Sequence, residues 1–210
     1  MKSLAAMSIN EDSSLEHLDL AANQAKNEQR CADFFYQLLL GQRRGHGCLP
    51  NYLGLSEATF NKLLLKHFSH SIDVGAFLTL TADRSLPIWR NGEIREELME
   101  LRAAEIADLV GLLTEHRASN SEWEHYFAKI VAAGCLGGEH LWKDLGLATR
   151  AELRELLTLM FPTLVSKNVK DMRWKRFFYK QLCEQEGGYV CRAPTCEECS
   201  TYDECFGPED

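Results

Sequence analysis

The sequence contains no apolar run near the roughly 18 residues that a membrane-spanning helix requires, so no transmembrane helix is expected. Its first residues, MKSLAAMSINED, lack the sustained hydrophobic stretch of a secretory signal, which points to a soluble cytoplasmic protein. Basic charge is also short: 23 Lys and Arg against 31 Asp and Glu give a formal net charge of −8. A surface of that sign repels a phosphate backbone and argues against a general nucleic-acid binder. Strand-like alternation is scarce, FLTLT at 77–81 being the one tempting case, and a single short strand forms no sheet. There is no Ser-His-Asp order, no P-loop and no G-x-G-x-x-G pattern, and no pair of carboxylates stands out as an acid and a base. No catalytic residue is assigned, and turnover chemistry is not expected. Gly/Ser-rich or Pro-rich linkers and fixed-period repeats are missing too, so nothing divides the chain into independent domains.

What remains is helical periodicity and cysteine. Hydrophobic residues make up 45% of the 210, ample for a packed core. Phe34, Phe35, Leu38 and Leu39 share one helical face before GHGCLP breaks it. Phe60, Leu63, Leu64 and Phe68 repeat after Ser56, which reads as an N-cap. Pro87 and an Asn91-Gly92 turn signal are expected to precede a charged helix starting near Glu93, with Ile106, Leu109, Val110 and Leu113 as its apolar stripe and its charge run as a solvated face. Thr149 and Glu152 have capping-box spacing ahead of Leu153, Leu156, Leu157, Met160 and Phe161, and Pro162 stops that pattern. The fold class is therefore all-α: a mobile or weakly helical segment at 1–25, a helical domain at 26–186 and a cysteine-rich tail at 187–210.

Five of the eight cysteines lie between Cys183 and Cys205. Without an export signal, thiols serve metals or catalysis more often than disulfides. Cys191, Cys196, Cys199 and Cys205 give the spacing C-x4-C-x2-C-x5-C, with one CxxC pair instead of the two well-separated pairs of most zinc knuckles. Unequal short spacers suit an iron–sulfur cluster, which offers several metal corners, better than a single zinc ion that needs all four sulfurs on one atom. A zinc staple on the tail remains the competing reading, either as part of an interaction module or as mere stabilisation. A small iron–sulfur electron-transfer protein is a third.

Upstream, KNVKDMRWKRFFYKQLCE is a basic island in an acidic protein. Arg173, Arg176 and Lys180 fall on one helical stripe and Trp174, Phe178 and Leu182 on the opposite one. The cationic stripe can attract an oxyanion or an acidic partner, or can simply pair with carboxylates of the fold. Cys183, which follows it, and Cys135 with His140, which flank Gly137-Gly138, are outside candidates for metal ligation, with packing at the turn as the ordinary alternative. His46 with Cys48 and His67 with His70 read as loop and surface residues.

The tail spacing ending in CFG, the stretch DMRWKRFFYKQLCE and the stretch AAGCLGGEHLWKDLGL together resemble the NifQ family of nitrogen-fixation proteins, with a looser likeness in LPNYLGLSEATFNKLLLKHF. The resemblance implies a non-enzymatic metallochaperone. Such a protein holds an iron–sulfur cluster of 3Fe-4S or 4Fe-4S type, takes on molybdenum from molybdate or a thiomolybdate species, and donates it to assembly of the nitrogenase iron–molybdenum cofactor. It further implies Cys191, Cys196, Cys199 and Cys205 as cluster ligands, one of them free for the molybdenum corner if the cluster has three irons. The implied partners are the cofactor assembly proteins, a scaffold and an iron protein.

Overall fold

The computed structural model describes residues 8–68, 87–185 and 202–207, with side chains of the first helix described from residue 20 and those of the third from residue 90. Every regular element among them is a helix, as the periodicity requires; FLTLT lies outside the described residues. The helices are α1 (Ser8–Arg43), α2 (Glu57–Phe68), α3 (Pro87–Leu101), α4 (Ala103–Glu115), α5 (Glu122–Cys135), α6 (Leu141–Asp144), α7 (Arg150–Met160), α8 (Pro162–Lys167), α9 (Trp174–Gln185) and α10 (Tyr202–Phe206). The chain forms two compact units, Met1–Tyr36 and Gln37–Asp210. The first unit is the leading part of α1, a helix that includes much of the segment read as mobile or weakly helical.

In the second unit α5 is the central helix. It buries ten residues from Trp123 to Cys135 and packs against α4, α6 and α7. A helix buried on so many sides cannot be amphipathic in the ordinary sense, which is why AKIVAAGC shows no polar stripe. Its start is set by Ser121, whose Oγ accepts from Trp123 N at 3.3 Å. Glu124 is buried one turn in, where its carboxylate takes the Ser119 N–H at 2.7 Å and the Ser119 hydroxyl at 2.8 Å.

The region after Pro87 resolves differently from its sequence expectation at two points. Asn91-Gly92 is no turn: α3 begins at Pro87, the fixed φ of which suits a first helical position, and runs through both residues. Gly92 is needed because a Cβ there would collide with the Asn51 side chain. The long charged helix is also broken, at Arg102, into α3 and α4. Only Leu109, Leu112 and Leu113 of α4 are fully buried, with Ile106 and Val110 at the margin of the stripe.

The capping residues read from sequence do cap. Ser56 Oγ accepts from Thr59 N at 3.3 Å. Thr149 Oγ1 accepts from Glu152 N at 3.2 Å, while Glu152 turns its own carboxylate to Ala148 N and Gln37 Nε2, both at 2.9 Å. Pro162 ends α7 and at the same time opens α8. Thr149→Ala is expected to cost about 1 kcal/mol, read as a lower denaturation midpoint with an unchanged slope in urea; Thr149→Ser should recover most of it.

Candidate metal centre

The geometry is organised by a buried ion pair. Asp144, at the end of the short α6, is 4% exposed. It accepts from Lys175 Nζ and, at 3.0 Å, from Glu139 N, while Lys175 also donates to Gly137 O at 2.8 Å. Gly137 is required here, since a Cβ would lie within the Asp144 carboxylate. The loop after α1 joins the same junction, Cys48 N donating to Asp144 O at 2.8 Å. Three stretches distant in sequence, RGHGC, CLGGEHLWKD and RWKRFF, thus meet at one charge pair.

Two thiols border it. Cys48 Sγ lies 3.8 Å from Gly134 O. Burial first, and then the negative charge of Asp144, pushes its pKa up to about 12. Cys135 is likewise pushed up to about 12, chiefly by burial, against the opposing charge of Lys175. Thiols held protonated are poor nucleophiles and poor metal donors. In the native protein at pH 8 both should react with iodoacetamide at least about a hundredfold more slowly than in the unfolded chain, as peptide mapping of a labelling time course would show.

From Lys175 the same helix reaches the tail. The segment entering α9 is fixed by Arg150, which donates to the Asp171 carboxylate at 3.0 Å and to Met172 O at 3.3 Å, by Arg154 on Asp171 at 3.0 Å, and by Asn168, bonded to both N and O of Met172 at 2.8 Å. Asp171 itself sits at φ +53°. Arg173 is thereby aimed at α10. Its backbone N donates to Cys205 O at 2.7 Å, Nη1 to Glu204 O at 3.1 Å and Nε to Gly207 O at 3.4 Å. Arg176 adds an ion pair to the Glu204 carboxylate at 2.6 Å. Gly207 closes the turn with its N–H on Asp203 O at 2.9 Å, and Tyr202 stacks on Phe206 with centroids 4.6 Å apart. Two arginines of the basic stripe therefore clasp the turn that carries Cys205. The third cation, Lys180, pairs with Glu184 at 3.1 Å on its own helix.

Cys205 is half-buried. Cys191, Cys196 and Cys199 lie outside the described residues. Cys183 is half-buried on α9. His140 stands at the N-cap of α6 and lines a cleft of about 310 Å³ together with Arg173, Arg176 and Glu204, so it faces the clasp, whereas Cys135 belongs to the buried junction. Among the described residues no three His, Cys, Asp or Glu side chains converge as a metal site. The Asp144–Lys175 pair was not singled out in the sequence; its only local signal is the Gly137-Gly138 step that makes room for a carboxylate.

The NifQ family model matches residues 34–207. The chain is 47% identical over 174 residues to Protein NifQ of Azotobacter vinelandii, covering 82% of this chain and 86% of that one. It is 52% identical over 177 residues to Protein NifQ of Klebsiella pneumoniae, covering 83% and 97%. A shorter match, 37% over 84 residues, joins it to Protein NifQ of Rhodobacter capsulatus, covering 40% of this chain and 47% of that one. No solved structure matches.

Proposed function

The chain belongs to the NifQ family of nitrogen-fixation proteins, and we propose that it is an iron–sulfur metallochaperone that carries molybdenum to assembly of the nitrogenase iron–molybdenum cofactor. The observation that carries this reading is the intact set of Cys191, Cys196, Cys199 and Cys205, whose last member is half-buried on a turn docked to the folded domain. Four soft thiolate donors on a short irregular segment fit an iron–sulfur cluster. When bound, the cluster supplies sulfide ligands and a metal corner at which molybdenum, the cargo, is held.

The protein's own residues do the rest. Gathering thiolates beside Glu197, Glu198, Asp203 and Glu204 concentrates negative charge, and Arg173 and Arg176 offset part of it at the Cys205 end. With their head groups engaged, Arg173, Arg176 and Lys180 act on an incoming oxyanion through their field. The hydrogen bonds and ion pair that Arg173 and Arg176 make to the turn at 203–207 are individually breakable, which would let this turn part from α9 when the cargo passes to the scaffold and iron protein.

Serine at both Cys196 and Cys199 tests the ligand assignment. Iron bound after anaerobic reconstitution should fall to background while the far-ultraviolet circular dichroism stays that of the parent; full iron retention would remove these cysteines from the site.

A further inference from the structure

The first turn of α9 holds two other parts of the chain at once. Lys175 donates to Gly137 O at 2.8 Å and pairs with Asp144, whose carboxylate takes Glu139 N at 3.0 Å and whose own N–H donates to His140 O at 3.0 Å. The backbone that presents His140 is thereby fixed to α9. From the same turn of α9, Arg173 N donates to Cys205 O at 2.7 Å and Arg176 pairs with Glu204. Between the two attachments lies the cleft of about 310 Å³, with His140, Trp174, Arg173, Arg176 and Glu204 in its wall. An imidazole and a thiol-bearing turn are thus brought to one place by four consecutive residues, Arg173 to Arg176.

Two groups in this wall have no task in the fold. The His140 side chain is half-buried, makes no cap bond to α6 and has no hydrogen-bond or ion-pair partner among the described residues. The neighbouring carboxylate of Glu204 is already taken by Arg176. Trp174 is 2% exposed, and its indole Nε1 is buried without an acceptor among the described residues. A buried N–H without an acceptor is costly, and an occupant of the cleft that offers a lone pair removes that cost.

We propose that His140 is a metal ligand of the loaded protein, the nitrogen donor that the folded domain adds to the thiolate of Cys205, with Trp174 Nε1 donating to a sulfide or oxygen of the same occupant. Imidazole is a donor suited to iron and its neighbours, and hydrogen bonds to cluster sulfurs tune such centres. The inference rests on the proposed role of Cys205 as a cluster ligand. It parts His140 from Cys135, whose thiol is buried at the Asp144–Lys175 junction. One ligand fixed to the domain and one on a detachable turn make a site that is complete only while the turn is clasped.

The test is pulsed electron paramagnetic resonance of the full chain, loaded anaerobically with iron and sulfide, before and after molybdate, with and without isotopic labelling of histidine nitrogen. A coupling from a directly bound imidazole is expected, lost in His140→Ala and in His140→Asn and kept in His46→Ala, an exposed loop histidine outside the site. Asparagine suits an N-cap, so His140→Asn should keep the circular dichroism and urea midpoint of the metal-free parent. Outer-shell partners alone change metal affinity about 10–100-fold, so losing a direct donor should speed passage of the metal to a chelator at least about tenfold. Coupling already present with iron alone puts His140 on an iron corner, and coupling that arises only with molybdate puts it on the cargo; either supports the proposal. A cluster signal without nitrogen coupling, or with coupling that survives His140→Asn, overturns the proposal and leaves the carrier function standing. A parent that forms no cluster overturns the carrier function and this ligand with it.

Discussion

Asp144→Ala is expected to lower the unfolding free energy of the metal-free protein by about 3–5 kcal/mol, the cost of leaving one member of a buried ion pair uncompensated. Lys175 has only 17% of its side chain exposed, so its ammonium cannot recover full hydration once the carboxylate is gone. Glu139 N loses its acceptor in the same substitution. Because the junction joins the loop after α1, the α5–α6 turn and α9, the loss should appear as a lower midpoint in urea or guanidinium without an altered slope. Adding Lys175→Met should restore a large part of the lost stability, since an apolar side chain leaves no orphaned cation. If Asp144→Ala costs less than about 1 kcal/mol, the level of a surface pair, the junction is not what unites these stretches.

Arg173→Ala is expected to free the turn carrying Cys205. The guanidinium makes two hydrogen bonds to backbone carbonyls; one such bond from a charged donor is worth about 1.5–3 kcal/mol, and partial exposure together with the 3.4 Å length of the second keeps the pair within that range. A loss of about 1.5–3 kcal/mol corresponds to a ten- to hundredfold larger open population. Amide exchange at the Gly207 N–H should accelerate by that factor, and iron should pass to a chelator correspondingly faster. Arg173→Lys should not rescue, because a single ammonium cannot span the carbonyls of Glu204 and Gly207 as a planar fork does. Unchanged exchange in Arg173→Ala would mean that the Arg173 N to Cys205 O bond and the Arg176–Glu204 pair hold the turn unaided.

These two expectations concern residues that sequence periodicity alone does not connect. The helices were legible where apolar spacing and a cap agree, as at Ser56 with Phe60, Leu63 and Leu64, and at Thr149 with Leu153, Leu156 and Leu157. Asn91-Gly92 misled because a turn dipeptide is a local signal, while Gly92 answers a contact with Asn51 some forty residues earlier. The break at Arg102 left no mark in the charge pattern. Trp174 and Phe178 were readable as the buried stripe of α9, and Phe177 joins them. That Arg173 and Arg176 grip the turn around Glu204 was not readable, since an ion pair across about thirty residues imposes no spacing on either partner. The cysteine spacing marks a candidate ligand set because residues on one short segment stay close in space however it folds, but Cys191, Cys196 and Cys199 lie outside the described residues.

The central claim is that the cysteine tail holds iron–sulfur chemistry for molybdenum. The measurement that tests it is elemental analysis of iron, molybdenum and zinc, with an electron paramagnetic resonance spectrum, on protein purified without oxygen from molybdate-supplied cells. The expected result is iron together with molybdenum and a cluster signal, all lost in the Cys196→Ser, Cys199→Ser variant. Zinc alone, with no cluster recoverable by reconstitution, would contradict the claim and leave the tail a structural zinc site.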